Sequence, residues 1–245
     1  MLLSKRLKTQ GDFCFAYRSY LPLFLLPVLI FVSLCFGQNL VIFENLENSS
    51  KKAYYAYNQW LIYISILIGF AGEGIRMFVA GFAARGTSGR NTRGQVADEL
   101  NTTGAYSLCR NPLYLGNFLM MLAPVILLGN ALFVVIFVLA FWLYYERIIF
   151  AEESFLLQKF GSDYEKWADK TPCFLPSFRA FVSPKLPLSI STIIRKEYNS
   201  IYGLICSLFG VHYLIAILGY FKVAGIMGIS EVLRGGGRLY CQIAR

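Results

Sequence analysis

Residues 104–118, GAYSLCRNPLYLGNF, and residues 144–176, YYERIIFAEESFLLQKFGSDYEKWADKTPCFLP, bracket the stretch that decides the fold. Between Arg110 and Glu146 no side chain is charged. An uncharged run of that length, with Gly129-Asn130 as a turn signal inside it, reads as two membrane helices folded back on each other. Their expected limits are about Leu113–Leu128 and Ala131–Ile149. A hairpin of this kind returns Arg110 and the Glu152/Glu153 pair to one membrane surface, beside Tyr114 and Tyr145. Pro112 suits the first helical position and biases its predecessor toward extended backbone, so Arg110 and Asn111 fall in a loop at the helix mouth.

The whole composition agrees with a membrane reading. The chain has 245 residues, 56% apolar and only 15% charged, against about 25% charged residues in a soluble domain. Each crossing takes about 20 residues, so the length suits one all-α integral membrane domain, residues 1–245, with about five transmembrane helices. The net charge of +9 carries no nucleic-acid signature, because the Lys and Arg residues lie between apolar blocks without a basic stripe. They read instead as topology signals and contacts to anionic head groups. Six cysteines are scattered without a CxxC pair and there is one histidine, which argues against a Cys/His metal site.

The other expected spans are Leu21–Ile42, about Tyr57–Phe82 and about Ile201–Phe221. In the second, Gly69, Gly72 and Gly74 permit a close helix contact. Glu73 and Arg76 lie three apart, and read either as a self-neutralising pair facing the bundle or as the mark of a functional cavity. His212, in the last span, reads as a hydrogen-bonded packing residue. The basic loop with Arg85, Arg90 and Arg93 contains QVADEL, a candidate helical turn or short strand, and serves as a pocket cover or a simple link. The proline-rich run Thr171–Pro187 reads as irregular chain lying over the same face as Arg110. With the N-terminus inside, the basic regions and the Gly104–Pro176 site become cytoplasmic, although a fifth crossing leaves Lys222, Arg234, Arg238 and Arg245 outside.

No Ser/His/Asp or Cys/His set can form at the site, and phosphate-binding glycine loops are absent. What remains is a cleft for a polar, partly cationic cofactor beside lipid. GAYSLCRNPLYLG, followed by EESFLLQKFGSDYEKW and TPCFLP, resembles the isoprenylcysteine carboxyl methyltransferase family and its wider group of phospholipid N-methyltransferases. The family pattern is G-P-Y-x-x-x-R-H-P-x-Y-x-G, a hairpin, then E-E-x-x-L-x-x-x-F-G-x-x-Y and a closing proline turn. The likeness covers residues 69–176, the expected catalytic core. Ala105 replaces the usual proline, Trp167 stands where a second tyrosine is common, and Asn111 replaces the family histidine. An asparagine cannot take up a proton, so any step that needs that imidazole as base is lost.

The resemblance implies S-adenosylmethionine as methyl donor. It also implies a site in which Arg110, Glu152 and Glu153 act in catalysis, and Tyr106, Arg110, Asn111, Tyr114, Gly116, Glu152 and Glu153 bind the cofactor, without metal. The acceptor it implies is an amphiphilic lipid or prenylated molecule entering from the bilayer, in a multi-pass protein of bacterial inner-membrane type. Two other readings stay open: an NAD(P)H-dependent reductase resembling the sterol reductases, and a non-catalytic lipid-binding member, which Asn111 motivates.

Overall fold

The structure is a computed structural model and describes residues 3–18, 20, 51–82, 95 and 97–223. The expected first span Leu21–Ile42, the arginines of the long basic loop and the chain after residue 223 lie outside the described residues. Among the described residues the fold is all-helical. The elements are α1 (Leu3–Tyr17), α2 (Lys51–Phe82), α3 (Ala105–Leu108), α4 (Pro112–Leu127), α5 (Ala131–Phe160), α6 (Ser162–Ala168), a single 3-10 turn at Phe178–Ala180, and α7 (Ile190–Val223).

Local chemistry sets these limits. Pro112 opens α4, where a missing N–H costs nothing. Gly129 takes φ +69° in the hairpin turn, and Asn130 caps α5, its side-chain oxygen accepting from the Leu132 N–H at 2.9 Å and the Phe133 N–H at 3.3 Å. Gly161, at φ +54°, separates α5 from α6. The hairpin is thus as the sequence suggests, except that its second arm continues to Phe160. The described residues of QVADEL form neither helix nor strand, with bends at Asp98 and Glu99. Its residues Ala97–Leu100 include no apolar run that a helix or sheet face would bury.

Among the described residues, two helices are long and apolar enough to cross a membrane, Gln59–Phe82 and Ala131–Phe160. Five crossings are therefore not established. Only 28% and 33% of the apolar windows in these two helices are buried, whereas a soluble core helix would be mostly enclosed. Their outer faces carry Trp60, Tyr63, Leu67 and Phe70 on α2, and Val135, Ile136, Leu139, Trp142 and Leu143 on α5, all exposed. Apolar stripes of this extent are stable against lipid and not against water, so the protein is a membrane protein.

The bundle closes through small residues. A Cβ on Gly72 of α2 would lie 2.7 Å from the Gly116 carbonyl oxygen and 2.9 Å from the Met120 nitrogen. Gly69 packs in the same way on Ala123 of α4 and Leu204 of α7. One apolar cluster gathers Phe15, Tyr114, Phe137, Phe141, Tyr145 and Phe174, and a second gathers Ala123, Leu127, Leu204, Leu208 and Val211. α1, to which the sequence analysis assigns no partner, lies along α5. The Tyr144 hydroxyl donates to the Cys14 carbonyl at 2.7 Å, and Arg147 Nε donates to Gln10 Oε1 at 3.1 Å. His212 is exposed on α7, at the flank of the second cluster next to Val211, and so is not a buried packing residue.

The α2–α4 crossing generates a direct test. Gly72→Ala is expected to cost about 1–3 kcal/mol by overpacking and to lower the thermal midpoint in detergent. Gly74→Ala, where a Cβ meets nothing within 4 Å, is expected to leave it unchanged or raise it. Equal midpoints for the two variants would refute the close crossing.

Candidate functional site

The hairpin brings its two charged ends together. Arg110 Nε lies 3.3 Å from Glu153 Oε1, with both side chains partly buried. Arg110 sits on the extended chain between α3 and α4, while Glu153 is held in the helical part of α5 beyond its apolar stripe. The backbone fixes this arrangement. The Arg110 N–H donates to the Pro172 carbonyl at 2.8 Å, and the Asn111 side-chain amide donates to the Cys173 carbonyl at 3.0 Å. Farther along, the Ser177 N–H donates to the Leu108 carbonyl at 2.9 Å and the Gly104 N–H to the Val182 carbonyl at 2.8 Å. The proline-rich segment is thus an irregular strap tied along residues 104–111. Prolines leave it few donors of its own, and the loop supplies the partners.

Glu152 faces a different set of groups from its neighbour. Tyr114, Tyr106 and Arg18 lie near it. Tyr114 meets Tyr145 edge-on at 5.0 Å, and Tyr145 stacks on Phe141 at 4.0 Å. The Cys173 thiol lies 3.8 Å from Glu153 Oε1 and Tyr164 lies beside the same carboxylate. Burial first, then the Glu153 charge, pushes Cys173 and Tyr164 above their ordinary values. Burial pushes Cys109 up to about 11. All three are therefore neutral at physiological pH.

Of the residues that the sequence singles out, Tyr106, Arg110, Asn111, Tyr114, Glu152 and Glu153 come together. Gly116 does not: it faces α2, where a Cβ would lie 2.6 Å from Arg76 Cγ and 2.9 Å from the Gly72 carbonyl oxygen. Its signal was a glycine needed for close helix approach. Arg18, at the end of α1, is a participant that the sequence does not announce, because nothing in the pattern docks α1 onto α5.

Glu73 and Arg76 do not neutralise each other. Arg76 Nε donates to Glu197 Oε2 at 2.9 Å, its Nη2 donates to Ser200 Oγ at 3.1 Å, and its Nη1 donates to Asn117 Oδ1. Glu73 is 1% exposed, and neither of its oxygens has a hydrogen-bond partner. A guanidinium fork is better matched by a carboxylate on a facing helix than by one a turn back on its own.

Three buried donors at the Arg110 end also lack partners: Arg110 Nε, which is within ion-pair distance of Glu153 but misaligned for a hydrogen bond, the Tyr164 hydroxyl and Trp167 Nε1. Each such group costs about 1–3 kcal/mol unless something bonds to it. Two carboxylates, a guanidinium with a spare donor and aromatic faces suit a cofactor that carries a cationic sulfur, an ammonium and a carboxylate. No group of three or more His, Cys, Asp or Glu side chains placed to hold a metal occurs among the described residues.

Residues 75–163 match the family described as phospholipid methyltransferase. The chain is 36% identical over 77 residues to the protein-S-isoprenylcysteine O-methyltransferase of Schizosaccharomyces pombe, covering 31% of this chain and 33% of that one. It is 33% identical over 119 residues to a probable protein-S-isoprenylcysteine O-methyltransferase of Oryza sativa subsp. indica, covering 48% and 62%. It is also 26% identical over 169 residues to the cobalt-zinc-cadmium resistance protein CzcN of Cupriavidus metallidurans, covering 69% and 73%. The chain thus spans less than two thirds of the two methyltransferases. The resemblance read from the sequence is borne out. No solved structure gives a significant match.

The Cys109 thiol offers a check on site burial. A variant that keeps only this cysteine is expected to react with iodoacetamide about tenfold faster per pH unit, without a plateau below pH 10, because its thiolate forms only near 11. A plateau near pH 8.5, the ordinary thiol value, would contradict the burial.

Proposed function

With residues 75–163 forming a segment of the phospholipid methyltransferase family, we propose that the chain is an integral-membrane methyltransferase. It transfers a methyl group from S-adenosylmethionine to a lipidic or prenylated acceptor, in the manner of the isoprenylcysteine carboxyl methyltransferases. The observation that carries this reading is the 3.3 Å Arg110–Glu153 pair, made by the two ends of the hairpin inside the family segment.

S-adenosylmethionine, when bound, supplies an electrophilic methyl carbon on a cationic sulfur. Arg110, with its spare Nε donor, grips the carboxylate of the methionine part. Glu153 and Glu152 attract the ammonium and sulfonium charges. Tyr114 and Tyr106 wall the side of the pocket where Glu152 lies. Asn111 holds the strap at Cys173, a positioning role that needs no proton uptake. Most of the rate enhancement comes from holding nucleophile and methyl carbon in line. A carboxylate acceptor requires no base, whereas an amine acceptor gives up its proton to Glu152 or Glu153.

The acceptor is an amphiphile that enters sideways from lipid, since the exposed apolar faces of α2 and α5 border the bundle. The placement of basic residues supports a multi-pass arrangement, of bacterial inner-membrane type, with the site on the cytoplasmic side.

The purified chain is expected to bind S-adenosylhomocysteine in a calorimetric titration. Arg110→Ala is expected to weaken it about 10- to 100-fold, the range for a hydrogen bond to a charged group. Glu153→Gln is expected to weaken it more than Glu73→Gln does, while the reverse order would move the site to α2. Protection from heat by NADPH alone would favour the reductase reading instead. The acceptor is identified by radiolabelled methyl transfer into a membrane lipid extract.

A further inference from the structure

The strap between α6 and α7 carries apolar side chains that the bundle does not use. Phe174 turns inward, its ring 6.1 Å from Phe118 and 5.7 Å from Trp142. The residues after it do the opposite. Leu175 is 74% exposed and Phe178 76%, and Phe181, Val182, Leu186 and Leu188 are exposed as well. An apolar patch of this extent on irregular chain marks a contact with something apolar.

The level of the patch is fixed at both ends. At one end the Arg110 N–H holds the Pro172 carbonyl at the mouth of α4. At the other the Ser189 N–H donates to the Gly81 carbonyl at 2.9 Å, and a Cβ on Gly81 would lie 2.7 Å from Leu188 Cδ1. Gly81 belongs to the last turn of α2, a helix able to span the membrane, so the strap crosses where that helix leaves lipid. The exposed patch then runs on through Ile190, Ile194 and Tyr198, spaced by four along one face of α7.

Charge and backbone chemistry select the surface that the patch meets. From Lys170 to Lys196 the sequence holds five Lys or Arg residues and no Asp or Glu. Of these, Lys170, Arg179, Lys185 and Arg195 are exposed. Cations set among exposed apolar side chains match the anionic head groups and acyl boundary of a lipid leaflet. Pro172, Pro176, Pro184 and Pro187 carry no N–H, while the Ser177 and Val182 N–H groups donate to the Leu108 carbonyl and to Ser107 Oγ. The strap therefore brings few unpaired backbone donors into the head-group layer, although irregular chain could not go deeper into lipid. We propose that the strap from Leu175 to Ile190 is an interfacial docking surface, seated on anionic lipid at the side of the membrane that holds Arg110, with Phe178 reaching the acyl boundary. It goes beyond the transferase reading and needs no bound methyl donor.

The test uses the full chain in vesicles of phosphatidylcholine, with or without phosphatidylglycerol. A nitrobenzoxadiazole dye is attached at Phe178→Cys or, separately, at Leu186→Cys in a chain free of other cysteines. Quenching is read from lipids that carry a nitroxide near the head of the acyl chain or near its middle. The shallow nitroxide is expected to quench about twofold more strongly at both positions, because an interfacial element sits roughly 5–10 Å deep. Phosphatidylglycerol is expected to raise the quenching about twofold, and Arg179→Glu with Lys185→Glu to remove that gain. A blue-shifted dye that neither nitroxide quenches would show the patch covered by protein and overturn the inference. Emission typical of a dye in water, stronger quenching from the deep nitroxide, or equal quenching with and without anionic lipid would overturn it too.

Discussion

The contact on which the site depends joins Arg110 to Glu153. Its partners sit at opposite ends of an uncharged hairpin, and they meet because α4 and α5 return to one level of the membrane. In open water such a pair would contribute little. Here both side chains are partly buried and the backbone on each side is tied down, so the pair acts as a register mark. Beside it the strap crosses at Pro172 and Asn111 reaches Cys173. The pair's imperfect alignment leaves the Arg110 Nε donor without a hydrogen-bond partner.

Behind the site lies a second constraint of the same physical kind. Between α2, α4 and α7 the chain encloses a guanidinium and two glutamates at depths where each unpaired charge costs several kcal/mol. The glycines at 69, 72 and 116 allow the helices close enough for these groups to reach one another. Packing and polarity are therefore not separate tasks in this bundle. The close crossing of α2 and α4 brings Arg76 to Asn117. Arg76 turns to Glu197 and away from its own helical neighbour because a facing helix can present a carboxylate to the guanidinium fork.

The hairpin was legible because its signals are local: an uncharged run, a Gly-Asn turn, a proline at a helix start and paired glutamates at the exit. That Arg110 and Glu153 meet followed from that geometry. What escaped were contacts that depend on tertiary placement. Gly116 carries the same letter whether it approaches a ligand or a helix, and the structure has it approaching a helix. Docking of α1 against α5, which carries Arg18 toward Glu152, leaves no periodic mark in a short basic segment. QVADEL has composition compatible with several local structures, and its surroundings decide against helix and strand. His212 shows the same limit, since an apolar helix with one polar residue does not reveal which face is lipid-exposed.

The central claim is that the two ends of the hairpin share one surface of the membrane and one pocket. Arg110→Cys and Glu152→Cys, each placed in an otherwise cysteine-free chain in sealed vesicles of one orientation, are treated with a membrane-impermeant maleimide. The account requires that both positions label from the same side. Labelling of the two positions from opposite sides would contradict it.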